Sequence, residues 1–255
     1  MYCRILFPIV LFSLILTSCV DDELAQQFEF ADIELVMKGR YDGSPLVKNR
    51  PYAYKDGSRI RFSDFTFFVS NLTTIVNADE SFALDEVEYV DLTLFQGDIA
   101  AEEGYKLNVG RAPTGDYSGF SFGIGVPPEL NRTTTDEYGA NHPLGSQDRY
   151  DESLNGFKFL VIAGEVDYNS DGNFDENFNF TIGFNQNYKK ISSTEQIEVL
   201  PDITNKIEIE IDLMKVLDSG IRAIDFSTQL KTTKDPLDDI MLLLNSNFDG
   251  AITVN

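Results

Sequence analysis

The chain has no tryptophan, one histidine (His142) and two cysteines among 255 residues. A single imidazole excludes a His-rich zinc site and a His–His copper site within one chain. Any Ser-His-Asp arrangement would have to run through His142. Both cysteines, Cys3 and Cys19, stand near the N-terminus, so the rest of the chain has no thiol for a disulfide or a soft-metal site. Positive charge is also scarce: 20 Lys and Arg face 42 Asp and Glu, a formal net charge of −22. Such a surface repels phosphate backbones, which excludes a nucleic-acid partner. The same carboxylates suit hard cations such as calcium. Apolar residues are not lacking. They make up 42% of the chain against 24% charged, which excludes a disordered chain or a coiled coil and leaves enough material for a sizeable core.

The first eighteen residues read as an address rather than as fold. Arg4 precedes an apolar run from Ile5 to Leu16, which suits a signal-peptide core and is short for a bilayer span. The run ends in Leu16-Thr17-Ser18-Cys19, the pattern of a bacterial lipoprotein signal, with Cys19 as the lipidated residue. Acyl chains on Cys19 would hold the protein to a lipid bilayer, each buried methylene adding about 0.8 kcal/mol. Asp21, Asp22 and Glu23 follow directly and resemble the surface-export signal of Bacteroidetes lipoproteins. The expected organisation is a signal peptide over 1–18, an acidic tether over 19–27 and one domain over 28–255. The expected location is the bacterial outer membrane, lipid-anchored and facing the cell surface or the periplasm.

The domain reads mostly as strands. Ile207, Ile209 and Ile211 alternate with Glu208, Glu210 and Asp212, a half-buried strand with one wet face. The run Phe65–Val76, the polar turn Asn77–Glu80 and the run through Val87, Val90, Leu92 and Leu94 read as a long hairpin. Phe120, Phe122 and Ile124 share one face of another strand, with glycines between them that imply a closely approaching backbone. Further strands are expected near 28–37, 157–166, 178–184, 195–200 and 251–254. Helix is scarce. Asp235-Pro236 reads as a helix start, followed by Leu237, Ile240, Met241 and Leu244 on one face, and a shorter turn is expected over 212–218. The polar stretch 127–156 is long for a loop and reads as functional or as an insertion. These features predict a mostly β fold: an antiparallel β-sandwich with long loop excursions and one or two short helices.

The sharpest local pattern lies between two strands. Asp167, Asn169, Asp171, Asn173, Asp175 and Glu176, with Gly172 after the third oxygen ligand, place hard donors at alternate positions of a short loop. That is the arrangement by which a loop wraps calcium. The last position of such a loop needs a bidentate Glu, and Phe178 stands there, which leaves Asp175 or Glu176 to substitute. A polar hairpin turn is the other reading of the same residues. His142, in Asn141-His142-Pro143-Leu144, reads as a loop hydrogen-bonder and is the sole imidazole available to copper. A carboxylate pair acting on glycans would fit the composition, but no spacing singles one out. Phe122–Pro127 lacks the helix that a phosphate loop requires.

Gly115-Asp116-Tyr117-Ser118-Gly119-Phe120-Ser121-Phe122-Gly123-Ile124-Gly125-Val126, with Asn131 beyond it, resembles a stretch of the MbnP-like copper-binding family. The resemblance continues in order at Phe68–Leu72, Asn141–Leu144, Asn155–Glu165 and Phe178–Gly183. It implies the family's sandwich fold and a lipoprotein context. It also suggests a di-haem peroxidase or an outer-membrane receptor as partner. The departures fall on the metal chemistry. Arg149–Phe157 stands where typical members have a Met/Trp-rich segment, and Thr181 occupies a histidine position. The family's oxidised tryptophan cannot form in a chain without tryptophan. The expectation is a non-enzymatic binding module whose copper role is lost or altered and whose acidic loop takes calcium. A functional copper protein is the direct rival, and a glycan-directed carboxylate enzyme the rival from another class.

Overall fold

The computed structural model describes residues 29–255. The signal peptide, Cys19 and the acidic cluster at 21–23 therefore lie outside the described residues. The main strands are β1 (Phe30–Tyr41), β2 (Arg59–Ile75), β3 (Ser81–Asp91), β4 (Tyr105–Pro113) and β5 (Gly119–Ile124) in the first half of the chain. The second half supplies β6 (Leu160–Asp167), β7 (Glu176–Ile182), β8 (Lys189–Ser193), β9 (Thr204–Asp212) and β10 (Ile252–Val254). Three short helices accompany them: α1 (Asp98–Glu103), α2 (Leu213–Leu217) and α3 (Asp239–Ala251).

Two sheets face one another. The first has the order β10-β9-β1, with β4 on the far edge of β1. The second is organised by β2, whose 17 residues are long enough to take successive partners. Arg59–Phe67 pairs with β6, and Val69–Ile75 pairs with β5 on the same edge, while β3 occupies the other. β7 then flanks β6, and β8 flanks β5. Between the sheets lie Ile33, Leu35, Phe62, Phe65, Phe67, Phe120, Phe122, Phe178, Phe180, Ile207, Ile209 and Ile211, all in one buried cluster. A wholly buried phenylalanine contributes about 1.5–3 kcal/mol relative to exposure, and this aromatic layer holds together described residues that contain no cysteine.

The expected β-sandwich is thus observed, with one pair of the opposite sense. β1 and β9 run parallel, Leu35 opposite Ile207 and Met37 opposite Ile209. Their alternate residues form the wet face expected of Ile207–Asp212. Lys38 bonds Glu208 at 2.7 Å, and Arg40 bridges Glu102 and Glu210. Parallel strands cannot be joined by a tight turn; here the connection is most of the domain.

The helix expected from Asp235-Pro236 begins later. Asp235 spends its carboxylate on the Leu237 N–H at 2.9 Å, a local turn that leaves Leu237 exposed. Asp238 is the actual N-cap, accepting from the Ile240 and Met241 N–H groups at 2.9 and 3.0 Å. The expected turn at 212–218 is α2, capped by Asp212 accepting from Met214 N–H at 3.0 Å.

Candidate functional site

The stretch 127–159 is the feature that the sandwich alone does not require. It carries four short 3-10 turns and the paired segments Tyr150–Asp151 and Gly156–Phe157. It folds over the outer face of the second sheet and makes a second core of Phe68, Val87, Val126, Leu144, Phe157 and Phe159. Asn131 fixes the fold of this excursion. Its side-chain oxygen accepts the Phe157 N–H at 2.8 Å, and its amide donates to Asn185 at 2.9 Å. Gly156, at φ 151°, lies directly against the Asn131 amide and leaves no room for a Cβ.

His142 sits in this excursion. Its ring stacks on Tyr138 at 4.4 Å between centroids. Its Nδ1 accepts the Leu144 N–H at 3.1 Å, capping the turn Pro143–Gly145. One ring nitrogen is therefore already committed to the backbone. Below it, on β3, stand the half-buried carboxylates Asp85 and Glu88. Burial raises the pKa of Asp85 against the opposing effect of local N–H groups and His142. Burial, with the charge of Asp85 behind it, raises that of Glu88. Arg149 lies over the Tyr89 ring, 3.7 Å from its centroid. An adjoining cleft of about 570 Å³ is lined by Asn71, Asp85, Tyr188 and Lys190 among others. It opens where the register of β2 shifts beside Asn71, a residue in the left-handed region at φ 49°. Sequence reasoning missed this polar patch, because Asp85 and Glu88 look like ordinary wet-face residues of a hairpin.

The acidic loop joins β6 to β7 and is wound around one carboxylate. Asp167, whose side chain is fully buried, accepts from the N–H groups of Asp171 at 3.2 Å and Gly172 at 3.0 Å. It also accepts from Arg59 at 3.3 Å. Asn169 accepts the Asp171 N–H at 3.0 Å, and Asp171 accepts the Asn173 N–H at 2.8 Å. Asp171, Asn173, Asp175 and Glu176 are exposed, and Phe178 is buried in the main core. Among the described residues no three His, Cys, Asp or Glu side chains are gathered as a metal-holding group. The negative charge of Asp167 already has a counterion in Arg59, whose guanidinium also lies over Phe174 at 5.6 Å. The sequence pattern omits that arginine, since it comes from β2, 108 residues upstream.

Thr181, at the position that the resemblance gives to histidine, turns its hydroxyl to Asn179 at 2.9 Å. Its backbone N–H donates to Thr232 at 2.9 Å. Nearby in the chain's pairing, Asp151 holds Lys234 at 2.5 Å. Burial pushes the Asp151 carboxyl up, but hydrogen bonds from Lys234 and Ser153 outweigh it and hold the group at about 2. Hydroxyls, amides and a closed ion pair fill this region. They are hard or already satisfied donors, and none is a soft ligand for Cu(I).

Three comparisons bear on the fold and lineage. A family profile described as MbnP matches residues 30–240. Among solved structures, MbnP from Methylosinus trichosporium superposes with a TM-score of 0.50 at 12% identity, covering 83% of each chain. At that identity the likeness concerns the fold alone. No curated protein sequence matches.

Proposed function

The chain belongs to the MbnP family, and from that premise we propose that it is a non-enzymatic binding lipoprotein of the bacterial outer membrane in which the copper chemistry of the family has been lost. One observation carries the reading. The position expected to hold a histidine holds Thr181, closed by Asn179 and Thr232, while the sole histidine is stacked on Tyr138 and bonded to Leu144. Copper in an imidazole site needs several soft or nitrogen donors converging on one point. The lipid anchor is supported by Leu16-Thr17-Ser18-Cys19. Outward display is supported by the acidic cluster behind it. Cys19→Ala should move the protein from the membrane to the soluble fraction. A variant that stays in the membrane fraction would refute the anchor.

Calcium binding at the 167–176 loop is the second reading, favoured by the wrap of the Asp171 and Gly172 N–H groups on Asp167. In calcium loops the first carboxylate is held in the same way while its other lone pairs meet the ion. Asp167, Asn169, Asp171 and Asn173 would supply the donors, with Asp175 or Glu176 closing the shell. Arg59 would then have to give up Asp167. Thermal unfolding with calcium and with chelator decides between this reading and a turn neutralised by Arg59. A di-haem peroxidase or an outer-membrane receptor remains the partner class implied by resemblance. Co-purification from membranes tests it.

A further inference from the structure

We propose that the end of the first sheet bearing Phe30, Leu200 and Ile203 is the face by which the domain rests on the bilayer that holds its own N-terminus. The inference builds on the lipid-anchored reading above. Its first support is three apolar side chains exposed at one end of the sheet: Phe30, Leu200 and Ile203 are 38%, 42% and 52% exposed. They stand at the same end of the sheet because β1 and β9 are parallel, with Asp32 opposite Thr204; the Phe30 ring leans on Phe82 at 5.9 Å between centroids. That register brings Ile203 level with Ala31, one strand spacing of about 4.8 Å away. Asn205 holds Leu200 and Ile203 in one tight loop, bonding the Leu200 N–H at 2.9 Å and the Leu200 carbonyl at 3.0 Å.

The second support is where the chain outside the described residues arrives. Residue 29 is the first described, and its carbonyl accepts the Thr114 N–H at 2.7 Å at this end of the sheet. Only residues 20–28 separate it from Cys19, a reach of at most about 35 Å when fully extended. The tether therefore delivers this end of the sandwich toward the lipid first. The third support is two long cationic side chains at this end, each paired with a carboxylate: Arg111, beside Asp32 at 3.4 Å, and Lys206, beside Glu34 at 3.6 Å. Apolar side chains flanked by Arg and Lys are the composition that lies at a headgroup boundary.

The absence of tryptophan makes the test direct. Leu200→Trp, Ile203→Trp and Ile221→Trp each install the only indole in the chain. Ile221 is 92% exposed and follows α2, beyond the opposite end of β9. The nine residues of β9 separate the two ends by about 30 Å. The lipidated full chain is reconstituted into phosphatidylcholine vesicles with brominated acyl chains. Expected are a blue shift and strong quenching for Leu200→Trp and Ile203→Trp, and neither for Ile221→Trp. Equal quenching at both ends, or none at Ile203→Trp, overturns the proposal. A concentration-dependent blue shift of Ile203→Trp without vesicles would show a second copy on this face and would overturn it too. If Cys19 carries no acyl chain in cells, the anchor reading fails separately. The chain from Cys19 onward, coupled through that thiol to a maleimide lipid, then gives the same fluorescence readout for the seating face.

Discussion

Replacing Asp167 by alanine is the sharpest probe of the acidic loop, because its cost can be worked from the contacts. The carboxylate is fully buried and accepts from two backbone N–H groups and from Arg59. Removing one partner of a buried, hydrogen-bonded charge pair costs about 3–5 kcal/mol. Arg59 is partly exposed and can turn to water, so the lower end, about 3 kcal/mol, applies here. The orphaned Gly172 N–H accounts for part of that cost, since a hydrogen bond to a charged group contributes about 1.5–3 kcal/mol, while the Asp171 N–H keeps its bond to Asn169. In a domain of this size the melting midpoint should fall by roughly 6–12 °C. The assay is urea and thermal unfolding of residues 29–255 in chelator. A loss below about 1 kcal/mol would show that the loop is not organised by Asp167. Asp171→Ala, at an exposed residue with only local bonds, should cost less than about 1 kcal/mol under the same conditions. With calcium added at a hundred times Kd, the calcium reading predicts about 2.7 kcal/mol of extra stability in wild type, absent in Asp171→Ala. If calcium leaves the wild-type midpoint unchanged, the loop is a turn neutralised by Arg59.

Further expectations concern the frame and the excursion. A Cβ at Gly164 would strike the Arg61 carbonyl oxygen and come within 2.8 Å of the Phe178 ring, so Gly164→Ala should cost about 1–3 kcal/mol, read from the urea midpoint. Asn131→Ala removes one buried and one half-buried hydrogen bond and should cost about 2–3 kcal/mol, with faster proteolysis inside 127–156. Asp151 has a folded pKa of about 2, below its unfolded value of about 3.9. Its contribution is therefore present above pH 4 and lost as pH falls toward 2. Asp151→Asn should flatten the acid limb of the stability curve by about 1 kcal/mol, the ion pair being partly screened.

Much of the frame was legible because side-chain period is local. Ile207, Ile209 and Ile211 declare β9 by alternation, and Phe65–Val76 with Asn77–Glu80 declares the β2–β3 hairpin. Two strands went unread for different reasons. Tyr105, Leu107 and Val109 do alternate, so the signal for β4 was present. Lys189–Ser193 is too polar to stand out, and it is a strand because β5 needs a partner. The parallel pairing of β1 with β9 is not a local property at all, since it joins segments 172 residues apart in the case of Asp32 and Thr204. The helix start was misplaced because Asp235 and Asp238 are both sound caps locally. Packing of Ile240, Met241 and Leu244 selects the second. At the candidate site the sequence exposed the acidic loop and the isolation of His142. It concealed Arg59 beneath the loop and the carboxylates Asp85 and Glu88 beneath the excursion, because those arrangements are made by tertiary contact.

We propose that the family's sandwich survives here without a copper site. Titration of Cu(I) against a competing chelator, using residues 29–255, tests it most directly. The predicted result is no stoichiometric binding, with the same curve for wild type and His142→Ala. Binding of one equivalent that disappears in His142→Ala would contradict the account.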